Sequence, residues 1–129
     1  MASKKIILCD TNIIIEFLKE TPKDVENIES LGKDSIYVSS ITVGELYFGA
    51  LNKVELNKIR KKINSLVHIP ITEAISDIFE DLMLKYSLSH KLTIPDALIA
   101  ATALYFDIEL FTYNLKDFRF IKGLRLFNS

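Results

Sequence analysis

Four carboxylates, Asp10, Glu45, Asp96 and Asp117, carry the chemistry open to this sequence. Three of them follow segments that read as strands. Asp10 closes the apolar run Ile6-Ile7-Leu8-Cys9, Glu45 comes shortly after Ile36-Tyr37-Val38-Ser39, and Asp117 follows residues 108–112. A lone charge is costly to bury. A carboxylate ending an apolar strand therefore emerges at the carboxyl edge of the sheet, where open α/β folds hold their ligands. Parallel strands share that edge. Acids gathered there repel one another and titrate at raised pH unless a cation lies between them. Oxygen-only donors suit Mg²⁺ or Mn²⁺ rather than zinc or copper, and one or two such ions can activate a water and clamp a phosphate. Asp96 does not follow a strand, so spacing alone does not bring it into this group.

Each acid also has a purely structural reading. Asp10 can cap the helix that follows it. Thr42-Val43-Gly44-Glu45 has the pattern of a capping box, with the glutamate reaching back to the cap amide. Asp96 sits behind Pro95 in a first helical turn, where the macrodipole favours an acid. Asp117 can be a turn acid in a polar loop.

The elements that must position these residues alternate in type. Strands are expected over residues 5–9, 36–39, 67–69 and 108–112, with 124–127 a candidate for a last one. Helices are expected over residues 12–19 and 21–32, from Thr42 through Ala50, over 54–66, from a Thr72 cap through Tyr86, and from Pro95 to about Tyr105. Alternating strands and helices imply an α/β fold with a mostly parallel sheet covered on both faces. The chain reads as one domain over residues 1–129, and four glycines and three prolines leave room only for short loops.

A net charge of -1 excludes a binder that relies on overall positive charge, though not one with a local basic strip. The single cysteine, Cys9, excludes an internal disulfide and a cysteine zinc cage, and its place in the first strand marks it as a small buried hydrophobe. His68 and His90 are too scattered for a histidine metal site. No apolar run is long enough to span a bilayer, and the one at the start is broken by Asp10. The expectation is a cytoplasmic protein with no membrane contact. Hydrophobic residues make up 49% of the chain, and this surplus points to a partner interface.

Four stretches in order resemble the signatures of the PIN-domain family, and most closely those of VapC-type toxin ribonucleases. They are residues 5–12 (Lys-Ile-Ile-Leu-Cys-Asp-Thr-Asn), 43–50 (Val-Gly-Glu-Leu-Tyr-Phe-Gly-Ala), 95–103 (Pro-Asp-Ala-Leu-Ile-Ala-Ala-Thr-Ala) and 112–118 (Thr-Tyr-Asn-Leu-Lys-Asp-Phe). The resemblance implies a three-layer α/β/α sandwich and Mg²⁺- or Mn²⁺-dependent endonucleolytic cleavage of RNA. It also implies an antitoxin partner and a homodimer. By the same resemblance Asp10, Glu45 and Asp96 are the first three metal-binding acids. Asn114 and Asp117 compete for the fourth position; Asp117 is favoured for its charge, with Asn114 a polar helper or phosphate contact. Asn12 and Thr112 match polar positions that line the site.

RNA also needs cations. Lys53, Lys58, Arg60, Lys61 and Lys62 read as a solvated helix face. Lys116, Arg119, Lys122 and Arg125 lie nearer the fourth motif and are the better candidates for phosphate contacts. Leu46, Tyr47, Phe48 and Leu51 form an aromatic-rich helical face that belongs either to the core or to the antitoxin and dimer contacts the family makes there. Three other readings stay open: an RNA-maturation nuclease outside any toxin pair, a haloacid dehalogenase-like phosphatase using Asp10 as nucleophile, and a module that binds RNA or a partner without cutting. The phosphatase reading needs a second Asp where Asn12 stands.

Overall fold

The computed structural model describes residues 5–19, 32 and 35–127. Its centre is a four-stranded sheet made of β1 (Ile7–Cys9), β2 (Ile36–Ser39), β3 (Val67–Ile69) and β4 (Glu109–Phe111), in the order β3-β2-β1-β4 with every pairing parallel. Five helices are described: α1 (Thr11–Leu18), α2 (Ser40–Phe48), α3 (Lys53–Ile63), α4 (Glu73–His90) and α5 (Ile94–Phe106). The helix expected over residues 21–32 lies, Gly32 apart, outside the described residues. The expected final strand is reduced to one parallel bridge, Leu110 to Leu126.

Side-chain alternation along β1 divides the core. Leu8 faces a cluster built from α4 and α5, with Ile75, Leu82, Ala97, Ile99 and Leu110. Ile7 and Cys9 face the opposite cluster, with Ile13, Ile14, Leu46, Ile63 and Phe111. A sheet buried on both faces between helical layers is the expected α/β/α sandwich, and it explains why the strands read as continuous apolar runs. The alanines of α5 (Ala97, Ala100, Ala101 and Ala103) are all buried, so this helix comes close to its neighbours. The buried Thr102 hydroxyl donates to the Leu98 carbonyl at 2.8 Å, which satisfies it without a tertiary partner.

The strand-to-helix junctions set the site. Asp10 has extended backbone and caps α1, its Oδ1 accepting the Thr11 amide at 2.7 Å. Ser39, the last residue of β2, caps α2 directly, its hydroxyl accepting the Ile41 amide at 3.2 Å. The helix thus begins ahead of Thr42, and the expected capping box does not form. Ser39 is an equally good cap and lies at the strand end, so it wins the position. Thr42 becomes a buried interior residue, and Glu45 lies past the first turn, where it is available for other contacts. Thr93 caps α5 by accepting the Asp96 amide at 3.4 Å, with Pro95 in the first turn as expected. Thr72 caps α4, which runs on beyond Tyr86 to His90.

Candidate metal-binding acid site

Asp10 stands one residue beyond β1, and its amide continues the ladder by donating to the Phe111 carbonyl at 2.9 Å. This places it beside Thr112, the residue after β4. The Thr112 hydroxyl donates to Asp10 Oδ2 at 2.8 Å, and the Asn114 amide donates to Thr112 Oγ1 at 3.0 Å. Asp10 is only 6% exposed. Burial holds its carboxyl above the usual range, helped by the charges of Glu45 and Asp117 and opposed by the hydrogen bonds from Thr112 and Thr11.

Asp96, in the first turn of α5, is half-buried. Its carboxyl is pushed up to about 6, first by desolvation, then by the charges of Asp10, Asp117 and Glu45. Asp10 and Asp96 are thus pushed in the same direction by the same neighbours. Asp96 in α5 thus feels the charges of Asp10 at the end of β1, Glu45 in α2 and Asp117 in the short 3₁₀ turn Leu115–Asp117, and Asp10 feels those of Glu45 and Asp117. None of the four is ion-paired with a cation among the described residues. The fold therefore gathers Asp96 with the acids that follow strands, a placement that spacing did not supply.

Thr11 is the residue that sequence reasoning missed. Its hydroxyl donates to Glu45 Oε1 at 2.7 Å and lies 3.2 Å from Thr42 Oγ1, tying α1 to α2. Its place beside Asp10 was the one available signal. The Asn12 side-chain oxygen accepts the Tyr113 amide at 3.5 Å, so it steadies the loop after β4. Asn114 contributes its main-chain amide to Thr112 and no side-chain cap to the 3₁₀ turn. Lys116 and Arg119 are exposed around that turn. Arg125 is engaged elsewhere: its Nε lies 3.2 Å from Asp107 Oδ1, and its terminal nitrogen donates to the Asp107 carbonyl. Asp107 follows the far end of α5 from Asp96, so Arg125 is not placed to contact a phosphate at the acids.

Cys9 is fully buried, and burial, with the Asp10 charge, pushes its thiol up to about 12. It is an inert core residue. His68 Nε2 meets the Ile63 carbonyl at 2.8 Å, while His90 stacks on Phe120. Leu46 belongs to the core, whereas Phe48 is 93% exposed and Leu51 85% exposed. Beside Glu45 a groove of about 640 Å³ runs between α1, α2 and α3, with Leu18, Leu46 and Ile59 in its lining and Lys58 and Lys62 along it. The basic face of α3 is thus partly a groove wall rather than wholly solvated.

Among the described residues, no group of three or more His, Cys, Asp or Glu side chains is arranged to hold a metal ion. A pair of carboxylates such as Asp10 and Asp96, which are electrostatically coupled, suits a hydrated hard cation. Mg²⁺ is commonly held by one or two carboxylates and keeps several of its waters. Oxygen donors and mutual repulsion fit such an ion, and no cation is paired with these acids among the described residues.

The model of the PIN domain matches residues 7–123. The chain belongs to the PIN domain family. It is 30% identical over 122 residues to the Mycobacterium tuberculosis protein named Ribonuclease VapC10, covering 93% of this chain and 91% of that one. A toxin–antitoxin complex from Klebsiella pneumoniae contains a chain 31% identical, with a TM-score of 0.76, covering 92% of this chain and 94% of its own. A chain of VapBC2 from Rickettsia felis, bound to a DNA fragment from its promoter, is 27% identical with a TM-score of 0.82, covering 96% of this chain and 98% of its own.

Proposed function

We infer that this chain is a divalent-metal-dependent endoribonuclease and the toxin component of a toxin–antitoxin pair, with residues 1–129 forming one PIN domain. The observation that carries the reading is the convergence of Asp10 and Glu45 on Thr11, whose amide meets the first and whose hydroxyl meets the second, with Asp96 and Asp117 close enough to couple electrostatically to Asp10. The name of the M. tuberculosis relative supports ribonuclease chemistry, and the K. pneumoniae complex supports an antitoxin partner.

Asp10 and Asp96, with Glu45 directly or through water, would hold Mg²⁺ or Mn²⁺. Such an ion, when bound, supplies Lewis acidity and lowers the pKa of a coordinated water. The protein's own part is to fix the donors. Thr112 and the Thr11 amide orient the Asp10 carboxylate, and the Thr11 hydroxyl orients Glu45. Asp117 would orient a second ion or the attacking water. Water attacks phosphorus in line and the bond to the 3′ oxygen breaks, leaving a 5′-phosphate and a 3′-hydroxyl. Asn12, Thr112, Asn114, Lys116 and Arg119 make up the substrate side, with the two cations meeting phosphates. The exposed Phe48, Leu51 and Val54 supply apolar area for a second copy or the antitoxin. The working unit is a cytoplasmic homodimer.

The test is an end-labelled RNA incubated with wild-type protein and Mg²⁺ or Mn²⁺, then with excess chelator. The expected result is cleavage with 5′-phosphate ends, stopped by the chelator and restored by added metal. Cleavage that continues in chelator, or leaves 2′,3′-cyclic phosphate ends, contradicts the mechanism. Growth arrest on expression, relieved by a protein encoded alongside, separates a toxin from an RNA-maturation nuclease.

A further inference from the structure

Away from the acids, the end of α4 carries an aromatic group that the site does not use. His90 and Phe120 stack with centroids 4.2 Å apart and planes within 13°. Tyr86 meets both rings edge-on, at 5.7 and 5.2 Å, and its hydroxyl accepts the Lys122 amide at 3.3 Å. The Tyr86 contacts fasten the segment after the 3₁₀ turn to α4 independently of the His90 stack. The His90 ring is exposed, with one face against Phe120. Its Nδ1 is 2.7 Å from Ser89 Oγ, a contact that steadies the ring plane.

Lys91 follows His90 in the chain, and Arg119 and Lys122 flank Phe120; all three are exposed and none is ion-paired among the described residues. Lys91 holds a left-handed backbone (φ 57°) that ends α4 and turns the chain toward α5. Both segments lead into the acid site: Asp96 follows Lys91 through the first turn of α5, and Phe120 comes three residues after Asp117. Three residues span at most about 11 Å. The backbone at Phe120 therefore lies within about 11 Å of that at Asp117, a separation that one strand of RNA can bridge.

We propose that the outer face of His90, backed by Phe120, is a base-stacking platform for single-stranded RNA, with Lys91, Arg119 and Lys122 taking the neighbouring phosphates. The proposal rests on the ribonuclease reading and extends it to how an unpaired strand is held beside the cut. Aromatic rings flanked by cations are how proteins grip unpaired strands, and histidine is among the side chains that stack on bases. A duplex keeps its bases stacked on one another and offers none to the ring.

The test is binding of oligoadenylate and oligouridylate of equal length, read by fluorescence anisotropy with wild type, His90→Ala and His90→Phe. Melting temperature, oligomeric state and cleavage are followed in parallel. His90→Ala is expected to weaken oligoadenylate binding roughly five- to tenfold or more and to narrow the preference for adenine over uracil, since purines offer the larger ring face. His90→Phe is expected to restore both. If wild type binds and cleaves RNA while His90→Ala matches it in affinity and base preference, the platform is wrong and the nuclease reading stands. The same holds if His90→Ala changes only melting or oligomeric state. If wild type binds with the expected His90 dependence but does not cleave, the platform stands and the nuclease reading fails.

Discussion

Thr112 donates its hydroxyl to Oδ2 of Asp10 at 2.8 Å, joining two residues 102 positions apart at the ends of adjacent parallel strands. The bond exists because β1 and β4 pair in a register that sets Cys9 against Phe111, leaving the next residue of each strand side by side. It opposes the burial that would otherwise favour a neutral Asp10. A carboxylate must be ionised to hold a hard cation, so under the proposed function this hydroxyl favours the metal-binding form of Asp10.

Replacing Thr112 by Val keeps the shape and removes the donor. Thr112→Val should lower metal affinity and metal-dependent cleavage by roughly 10- to 100-fold, as expected for loss of an outer-shell partner. Thr112→Ser should recover most of both. Calorimetric titration with Mn²⁺ alongside cleavage rates provides the check, and normal affinity in the Val variant would remove Thr112 from the site.

The acids should make the metal-free protein less stable as pH rises. Asp96 titrates at about 6 when folded against an ordinary value of 3.8, and Asp10 is shifted in the same direction. A raised folded pKa favours the folded state most below about pH 4, and that advantage is lost as pH climbs through about 6. After discounting for the water that reaches Asp96, the loss is on the order of 1 kcal/mol. Without metal, Asp96→Asn should therefore raise the melting temperature relative to wild type at about pH 7.5, with a smaller difference at about pH 5. Added Mn²⁺ should stabilise wild type mainly at the higher pH. A variant no more stable than wild type at either pH would contradict the coupling.

Lys116 and Arg119 should account for part of the salt dependence of RNA binding. Neutralising both should reduce the slope of log K against log salt by about 1.4, at about 0.7 per phosphate contact with a single strand. Arg125→Ala should leave the slope unchanged, because that side chain is held by Asp107. Equal slopes for wild type and the double variant would place the phosphate path elsewhere, with the groove bearing Lys58 and Lys62 as the next place to look.

The sheet was largely legible because its strands are short apolar runs with firm stops. Ile36–Ser39 and Val67–Ile69 fall where expected, the second closed by Pro70. Boundaries failed where two residues compete for one role: Ser39 rather than Thr42 starts α2, since either can cap and only the end of the strand decides. The final strand shrank to a bridge because residues 124–127 pair with β4 only around Leu110. Asp10, Glu45 and Asp117 could be assigned to one edge from their place after strands. Asp96 could not, because α5 enters that edge from the helical layer. The role of Thr11 depends on Glu45, 34 residues away, a contact no local pattern contains.

The most direct measurement compares wild type with Asp10→Asn on total cellular RNA in Mg²⁺ and Mn²⁺, with end mapping and a melting curve for each protein. Wild type should cut and leave 5′-phosphates, while the amide variant should remain folded and inactive. Undiminished cutting by the Asn variant would contradict the assignment of Asp10 and, with it, the acid-held-metal mechanism.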